Sequence, residues 1–323
     1  MLHTRLCDLL GVEHPIINAP MAGPAAAELA AAVSEAGGFG LIGGSSGDPD
    51  WLRAQIRAVR ARTDRPFGVG FISSAPGLDE LVRVALEERV TAVTHSFADP
   101  TPYVAGAHAA GVKVLAQVQS VALARQAAQA GVDAIAAQGC EAGGHTGSSS
   151  ATLPLVPAVV DAVGGIPVIA SGGIADGRGL AAVLLLGAEG AWMGTRFAAS
   201  RESAGSEWGK ARIAAASTDD TVLTKAYDLA MESPFPEGIS DRVLRNEYTA
   251  LWHGRDAEVI AHRQELRAQL RVAAETGDAR FAPVRAGNAA GLIAEIESAG
   301  DIVRRVVDQA ERLLRERAQA VLR

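Results

Sequence analysis

From the N-terminus to about residue 200, short apolar runs of strand length alternate with alanine-rich stretches of helical period, and this alternation narrows the folds open to the chain more than any other feature. The strand-length runs fall at 15–19, 39–43, 67–72, 92–96, 113–118, 134–138, 167–171 and 191–194, with helical stretches at 24–36, 49–62, 78–88, 100–110, 120–130, 153–163 and 176–186. Several helices end near a glycine, such as Gly37, Gly111, Gly131 or Gly187, where a C-cap favours left-handed backbone. Strands separated by helices imply parallel pairing through right-handed crossovers. Eight such units predict an α/β protein, a (β/α)8 TIM barrel, with a doubly wound open sheet as the alternative. The 35 glycines suit tight helix-on-sheet packing, and aromatics make up only 4%. No fixed-period repeat of solenoid type is present.

After about Lys210 the rhythm stops. The stretch to about residue 281 carries more charge, contains a Ser-Pro-Phe-Pro turn at 233–236, and reads as several helices without strands. Apolar residues then recur at Ile302, Val303, Val306, Val307, Ala310, Leu313, Leu314 and Val321, the stripe of an amphipathic helix. The expected organisation is a barrel over 1–210, a helical subdomain over 211–294 that covers the barrel mouth, and a C-terminal helix over 295–323 that returns to the barrel. The net charge of −7 is spread along the chain and no basic run could track a phosphate backbone, which argues against nucleic acid as a partner. The longest apolar stretch falls well short of the roughly 20 residues of a spanning helix, and the first residues lack a signal-peptide pattern, so the expectation is a soluble cytoplasmic protein without a membrane partner. Cys7 and Cys140 are too few for a disulfide framework and are not spaced as a metal knuckle, and no His-Glu-x-x-His run or close acidic cluster suggests a metal. Redox chemistry in such a chain has to come from a cofactor.

In a barrel, functional groups sit where strands end. Ser171-Gly172-Gly173 follows the seventh strand and Asp176-Gly177-Arg178 opens the next helix, while the eighth strand ends in Trp192-Met193-Gly194-Thr195-Arg196. Paired glycines expose N–H groups to an anion, helix N-termini add partial positive charge, and these two ends commonly hold phosphate in barrels of this kind; ordinary glycine turns are the alternative. The long stretch after strand six, Gly139-Cys140-Glu141-Ala142-Gly143-Gly144-His145-Thr146-Gly147, sets His145 among glycines, where an imidazole can move a proton near neutral pH and a surface histidine is the alternative. The first strand ends in Ala19-Pro20-Met21, whose thioether suits either a flat aromatic ligand or the core. Gln117 and Gln119 share parity with Leu115 and point inward if Val114, Ala116 and Val118 face the helices, and Gln138 closes strand six. On strand four the parity leaves either His95 or Ser96 facing in, so His95 is a substrate-contact candidate beside Gln117.

The set Pro15-Ile-Ile-Asn-Ala-Pro-Met-Ala-Gly23, Glu141-Ala-Gly-Gly-His145, Ser171-Gly-Gly-Ile-Ala-Asp-Gly-Arg178 and Met193-Gly-Thr-Arg-Phe197, in this order at successive strand ends, resembles the nitronate monooxygenase family, formerly the 2-nitropropane dioxygenases. Leu244-Arg-Asn-Glu-Tyr248 and Ala286-Gly-Asn-Ala-Ala-Gly-Leu-Ile293 extend the likeness into the later segment. The resemblance implies FMN in the barrel mouth and oxidation of alkyl nitronates by O2 to a carbonyl compound and nitrite. It implies His145 as the catalytic base, Gly173, Gly194 and Thr195 at the FMN phosphate, and Trp192 and Met193 along the same cradle. Gln138 and Gly143 match flavin contacts, Ala19, Pro20 and Met21 match the segment against the flavin ring, and Gly144, Ser171 and Gly172 complete the cofactor set.

One departure stands out. Where many members carry Gly-Val-Asn after the third strand, this chain has Gly68-Val69-Gly70, which bears on substrate identity more than on FMN. The same motifs occur in type II enoyl-ACP reductases and NAD(P)H:quinone reductases, so an NAD(P)H-dependent flavin reductase is the alternative function, with a non-catalytic flavin-binding barrel behind it. The intact Glu-Ala-Gly-Gly-His loop argues against the last. The expected partners are a small-molecule substrate and O2, with a homodimer left open.

Overall fold

A computed structural model describes residues 2–45, 48–233 and 235–322. Eight strands form one parallel sheet: β1 (Ile16–Asn18), β2 (Gly40–Gly43), β3 (Phe67–Ile72), β4 (Ala92–Ser96), β5 (Lys113–Val118), β6 (Ala134–Gln138), β8 (Val168–Ser171) and β9 (Gly190–Met193). A short strand β7 (Gly144–Thr146) lies outside it. The strand order β1-β9-β8-β6-β5-β4-β3-β2 brings β1 and β2 to the two ends, and a parallel bridge between Ile17 and Phe39 joins those ends into a barrel. The seam has a second clasp that the sequence reading passed over. The Asn18 side chain accepts the Leu41 N–H and donates to the Leu41 carbonyl, both at 2.8 Å, so an amide side chain stands in for a missing stretch of ladder.

Barrel strands are apolar on both faces because both are covered. Leu41, Ala92, Leu115, Ala136, Ile169 and Trp192 fill the interior, and the helix Arg5–Leu10 plugs its lower end with Leu6, Cys7 and Leu10. The opposite faces, with Val69, Val93, Val114, Ala116, Val118 and Ile135, pack against the surrounding helices. Seven of these helices lie between strands, and each observed bound falls within a few residues of its expected place. Asp48, Ser120 and Asp176 cap their helices through side-chain acceptors. The eighth position belongs to the C-terminal helix Ala299–Val321, which buries Ile302, Val303, Val306, Val307 and Ala310 against its neighbours and leaves Val321 exposed. A Cβ on Gly177 would sit 2.5 Å from the Ala310 backbone nitrogen, so a glycine there lets the two helices meet.

The chain leaves the barrel at residue 200 and returns at 297, where Ser200 and Glu297 form a parallel bridge. The buried Arg196 guanidinium fastens this stalk by donating to the carbonyls of Ala199 and Glu295. Between these points the expectation of helices alone is corrected. Helices Glu207–Ala214, Ala226–Met231, Glu247–Trp252, Asp256–Ala261 and Arg263–Thr276 are joined by β10 (Thr221–Thr224) and β11 (Ser240–Leu244), which pair antiparallel. On its other edge β11 pairs with β7, from the long stretch after β6. The strands escaped the sequence reading because each is four or five residues long and finds its partner through tertiary contact. Val222 and Val243 bury one face with Tyr227, Tyr248, Val259, Leu266 and Leu270 in a small separate core. Of the Ser-Pro-Phe-Pro turn, Pro234 lies outside the described residues. Among the described residues no helix is long and apolar enough to cross a membrane.

Candidate active site

The upper ends of the strands enclose a cavity of about 470 Å³, within the size range of small-molecule and cofactor sites. Its barrel side includes Ala19, Pro20, Met21, Gln117, Gln138, Gly143, Gly144, His145, Trp192, Gly194 and Thr195, all singled out in the sequence, together with Phe71, Ile72, Ser96 and Phe97. Its outer side comes from the inserted segment, with Trp208, Lys210, Phe235 and Arg285.

The Ala19–Met21 corner can lie across the barrel because two glycines make room. A Cβ on Gly43 would fall 2.4 Å from the Met21 carbonyl oxygen, and one on Gly70 would fall 2.3 Å from the Pro20 ring and 2.6 Å from Thr94 Oγ1. Gly70, the departure from the Gly-Val-Asn pattern, is thus the place where Pro20 leans into the barrel. Thr94 Oγ1 beside it is buried without a hydrogen-bond partner among the described residues.

His145 sits on β7 and is held from several directions. Both Asp228 carboxylate oxygens lie within hydrogen-bond distance of Nε2, at 3.0 and 3.1 Å. The Phe235 ring stacks on the imidazole with centroids 3.4 Å apart, and the edge of Phe97 approaches at 6.5 Å. The Gln138 amide donates to the His145 carbonyl and accepts from Gln119, which ties β6 to β7. Asp241 pairs directly across from His145 on β11; its Oδ2 accepts from Arg285 at 2.8 Å, and its Oδ1 is buried without a donor among the described residues. No partner for His145 Nδ1 occurs among the described residues. Phe97 has the positive φ of 67°, rare for a bulky residue and typical of strained positions at ligand sites.

The strand-end glycines divide. Gly194 and Thr195 border the cavity, whereas Ser171, Gly172, Gly173 and Met193 do not; Met193 is packed in the core, and the Ser171 carbonyl accepts from Gly139 N–H and Thr152 Oγ1. Gly172 and Gly173 adopt φ of 97° and 74°, and among the described residues no acceptor takes their N–H groups or that of Gly194. The following helix offers no further anion site, because the Asp176 carboxylate takes the Arg178 and Gly179 N–H groups and Gln309 takes that of Gly177. Glu141 is likewise spent on structure, accepting from the backbone and hydroxyl of Thr152 at the start of the helix Thr152–Ala162. Thr195 Oγ1 accepts the Gly287 N–H, so the Ala286–Ile293 element of the later segment locks onto the β9 end.

His95 is off the cavity. It faces the helices with Val93, stacks on Tyr103, and bonds Ser73 through Nδ1, while Ser96 takes the inward position. Burial pushes the His95 imidazole down to about 4. Strand pleat explains the outcome: with Ser96 inward, its neighbour must point out. Gln117 and Gln119 do face in, as parity required.

The residues that sequence reasoning missed are Phe97, Asp228, Phe235, Trp208, Lys210 and Arg285. Five of the six come from beyond residue 200, and none lies near His145 in sequence, so no local spacing announces them. The same fold gathers potential ligand atoms of His145, Asp228 and Asp241 within 4.8 Å of one another, a cluster invisible to a scan for local metal motifs.

Comparison with known proteins gives concordant results. The sequence model of the family described as nitronate monooxygenase matches residues 3–81 and 72–309. A probable nitronate monooxygenase of Staphylococcus aureus is 34% identical, over 96% of this chain and 98% of its own. A Mycobacterium tuberculosis (3aS,4S,5R,7aS)-5-hydroxy-7a-methyl-1-oxo-octahydro-1H-indene-4-carboxyl-CoA dehydrogenase is 40% identical over 76% of this chain, which spans 67% of that relative. Among solved structures, FabK from Thermotoga maritima superposes with a TM-score of 0.90 and 41% identity, covering 99% of this chain and 100% of its own. Nitroalkane oxidase from Streptomyces ansochromogenes superposes at 0.82 with 28% identity, covering 98% and 99%.

Proposed function

This chain belongs to the nitronate monooxygenase family and is a flavin-dependent oxidoreductase; from that premise we propose that it oxidises alkyl nitronates with O2 on a bound FMN, yielding a carbonyl compound and nitrite. The observation that carries the reading is the mouth cavity in which His145, with an unpartnered Nδ1, faces the same space as the Ala19–Met21 corner.

The residues present fit a flavin. Ala19, Pro20 and Met21 give a flat apolar wall for a ring, and Gln117, which has no protein partner among the described residues, keeps its amide for the ring's polar edge or the substrate. The unpaired N–H groups of Gly172, Gly173 and Gly194, with the Thr195 hydroxyl, form an anion cradle suited to the phosphate. Trp192, Gly143 and Gly144, which line the cavity, would border the ring, and Ser171 and Met193 would stand behind the cradle. Bound FMN supplies the transfer of electrons from the nitronate to oxygen.

The protein's own work is then binding and proton management. A nitronate is already the carbanion equivalent of its nitroalkane, so it needs orientation rather than activation. For a neutral nitroalkane, His145 takes the α-proton at its free ring nitrogen. Phe97, Phe235 and Trp208 exclude water around that exchange. The inserted segment, read as a cover over the barrel mouth, brings two of these three rings.

A second reading, an NAD(P)H-dependent flavin reductase, is favoured by one observation: identity to FabK, at 41%, exceeds identity to the nitroalkane oxidase, at 28%. A CoA thioester appears in the name of the Mycobacterium relative, so a thioester is the substrate class to test. An oxygen electrode separates the two. Flavin-loaded protein should consume O2 and release nitrite with propionate 3-nitronate alone. Inertness toward nitronate, together with oxidation of NADH or NADPH coupled to a quinone or an enoyl thioester, would replace the first reading with the second.

A further inference from the structure

We infer that Asp228, carried by the helix Ala226–Met231 of the inserted segment, is the positioning residue of the site, fixing His145 as the Nε2–H tautomer and leaving Nδ1 bare toward the cavity. The inference rests on the reading of His145 as the proton-transfer group, and it adds the element that makes the group competent.

A carboxylate only accepts hydrogen bonds, so the nitrogen at 3.0 and 3.1 Å from the two Asp228 oxygens carries the proton. In a neutral imidazole the other nitrogen is then the lone-pair bearer, and Nδ1 has no protein donor competing for it among the described residues. The ring cannot easily turn to exchange its nitrogens. Phe235 lies flat on it, Phe97 meets it edge-on, and the backbone at 145 is pinned by β11 pairing and by Gln138. When Nδ1 takes a proton, the positive charge on the ring develops against Asp228, with the Asp241 carboxylate, whose Oδ1 is buried without a donor among the described residues, close by. The cluster reads as a proton site rather than a cation site because its bonds are already assigned. A cation would have to displace both the Nε2–Asp228 bond and the Arg285–Asp241 pair.

One consequence is structural coupling. The imidazole belongs to a barrel loop and its orienting carboxylate to the insertion, so the pair exists only when the insertion is docked. Asp228 is not itself among the cavity-lining residues and reaches the site through His145.

The test is 15N NMR of the histidine-labelled, flavin-loaded protein at mildly alkaline pH, with His145→Asn identifying the resonances of His145. In the parent protein His145 should show a protonated Nε2 and a bare Nδ1. Asp228→Ala, and the nearly isosteric Asp228→Asn as a variant that keeps the fold, should move it to a mixture of tautomers. The kcat for a neutral nitroalkane should fall roughly 10- to 100-fold with KM changed little, the pattern of a misaligned reacting group, and Asp228→Glu should recover part of it. An unchanged tautomer in both variants overturns the inference. A shifted tautomer with no loss of turnover leaves the positioning role standing and overturns the role of His145 in proton transfer.

Discussion

Strands of the barrel are buried along nearly their whole length, from Ile16–Asn18 to Gly190–Met193, whereas Thr221–Thr224, Ser240–Leu244 and Gly144–Thr146 each leave part of their length only half-buried. The contrast follows from layer geometry. A parallel strand inside a ring of helices has two apolar faces to satisfy, while a strand of a small antiparallel sheet has one. Barrel side chains are therefore consumed by packing, and what the barrel offers a ligand is mostly backbone N–H, a glutamine or two, and a proline–methionine corner. The inserted sheet keeps a polar face, and from it or beside it come Asp228, Asp241 and Arg285. His145 lies where the two meet, on a loop of the first that has become a strand of the second.

That division can be broken or sharpened by experiment. The largest effect should come from the meeting point: His145→Asn should lower turnover of neutral nitroalkanes by about 10²- to 10⁴-fold, the usual worth of a positioned acid–base group, with the flavin spectrum retained. Unchanged turnover would move the chemistry elsewhere on the cavity wall. Next comes acid stability, which should reside in the barrel. The buried His95 imidazole is held at about 4 against an ordinary 6.5, so between those values the unfolded chain binds a proton that the folded one refuses. Its full contribution is present above the unfolded value and is lost as pH falls toward 4, a penalty on the order of 3 kcal/mol. In thermal melts across this window the parent should lose stability relative to His95→Phe as pH falls, and parallel curves would refute the assignment. The smallest effect should come from the insertion. Phe235→Ala removes the ring that stacks on His145 and should cost about tenfold in kcat while leaving the melting temperature almost unmoved, because Phe235 belongs to neither core cluster of the barrel. A large loss of stability would show that insertion and barrel are one cooperative unit.

How much of this was legible depended on the range of the interaction. Periodicity located all eight barrel strands within a residue or two, since each strand's apolar run answers to a local demand for two buried faces. The parity of Gln117 followed from the same rule, and the one position where parity stayed open, His95 against Ser96, was settled by which side chain met Tyr103 on the neighbouring helix. The anion-ready glycines at 172, 173 and 194 were visible as residue types, yet their unpaired N–H groups appeared only with the strand ends in place. The expectation that the Asp176 helix start would add to that site failed because a capping aspartate occupies its own helix terminus.

By itself, then, the sequence determined the barrel, the strand ends that face its mouth, the histidine loop and the family. Tertiary structure alone decided that Asn18 would clasp the barrel seam, that Gly70 would make room for Pro20, and that Asp228, Asp241 and Phe235 would converge on His145 from 83 or more residues away along the chain. Burial and helical or strand period are properties of neighbouring residues and leave a repeating trace. An orienting hydrogen bond between distant segments leaves none, because any residue of the right type can supply it once the fold has brought it near.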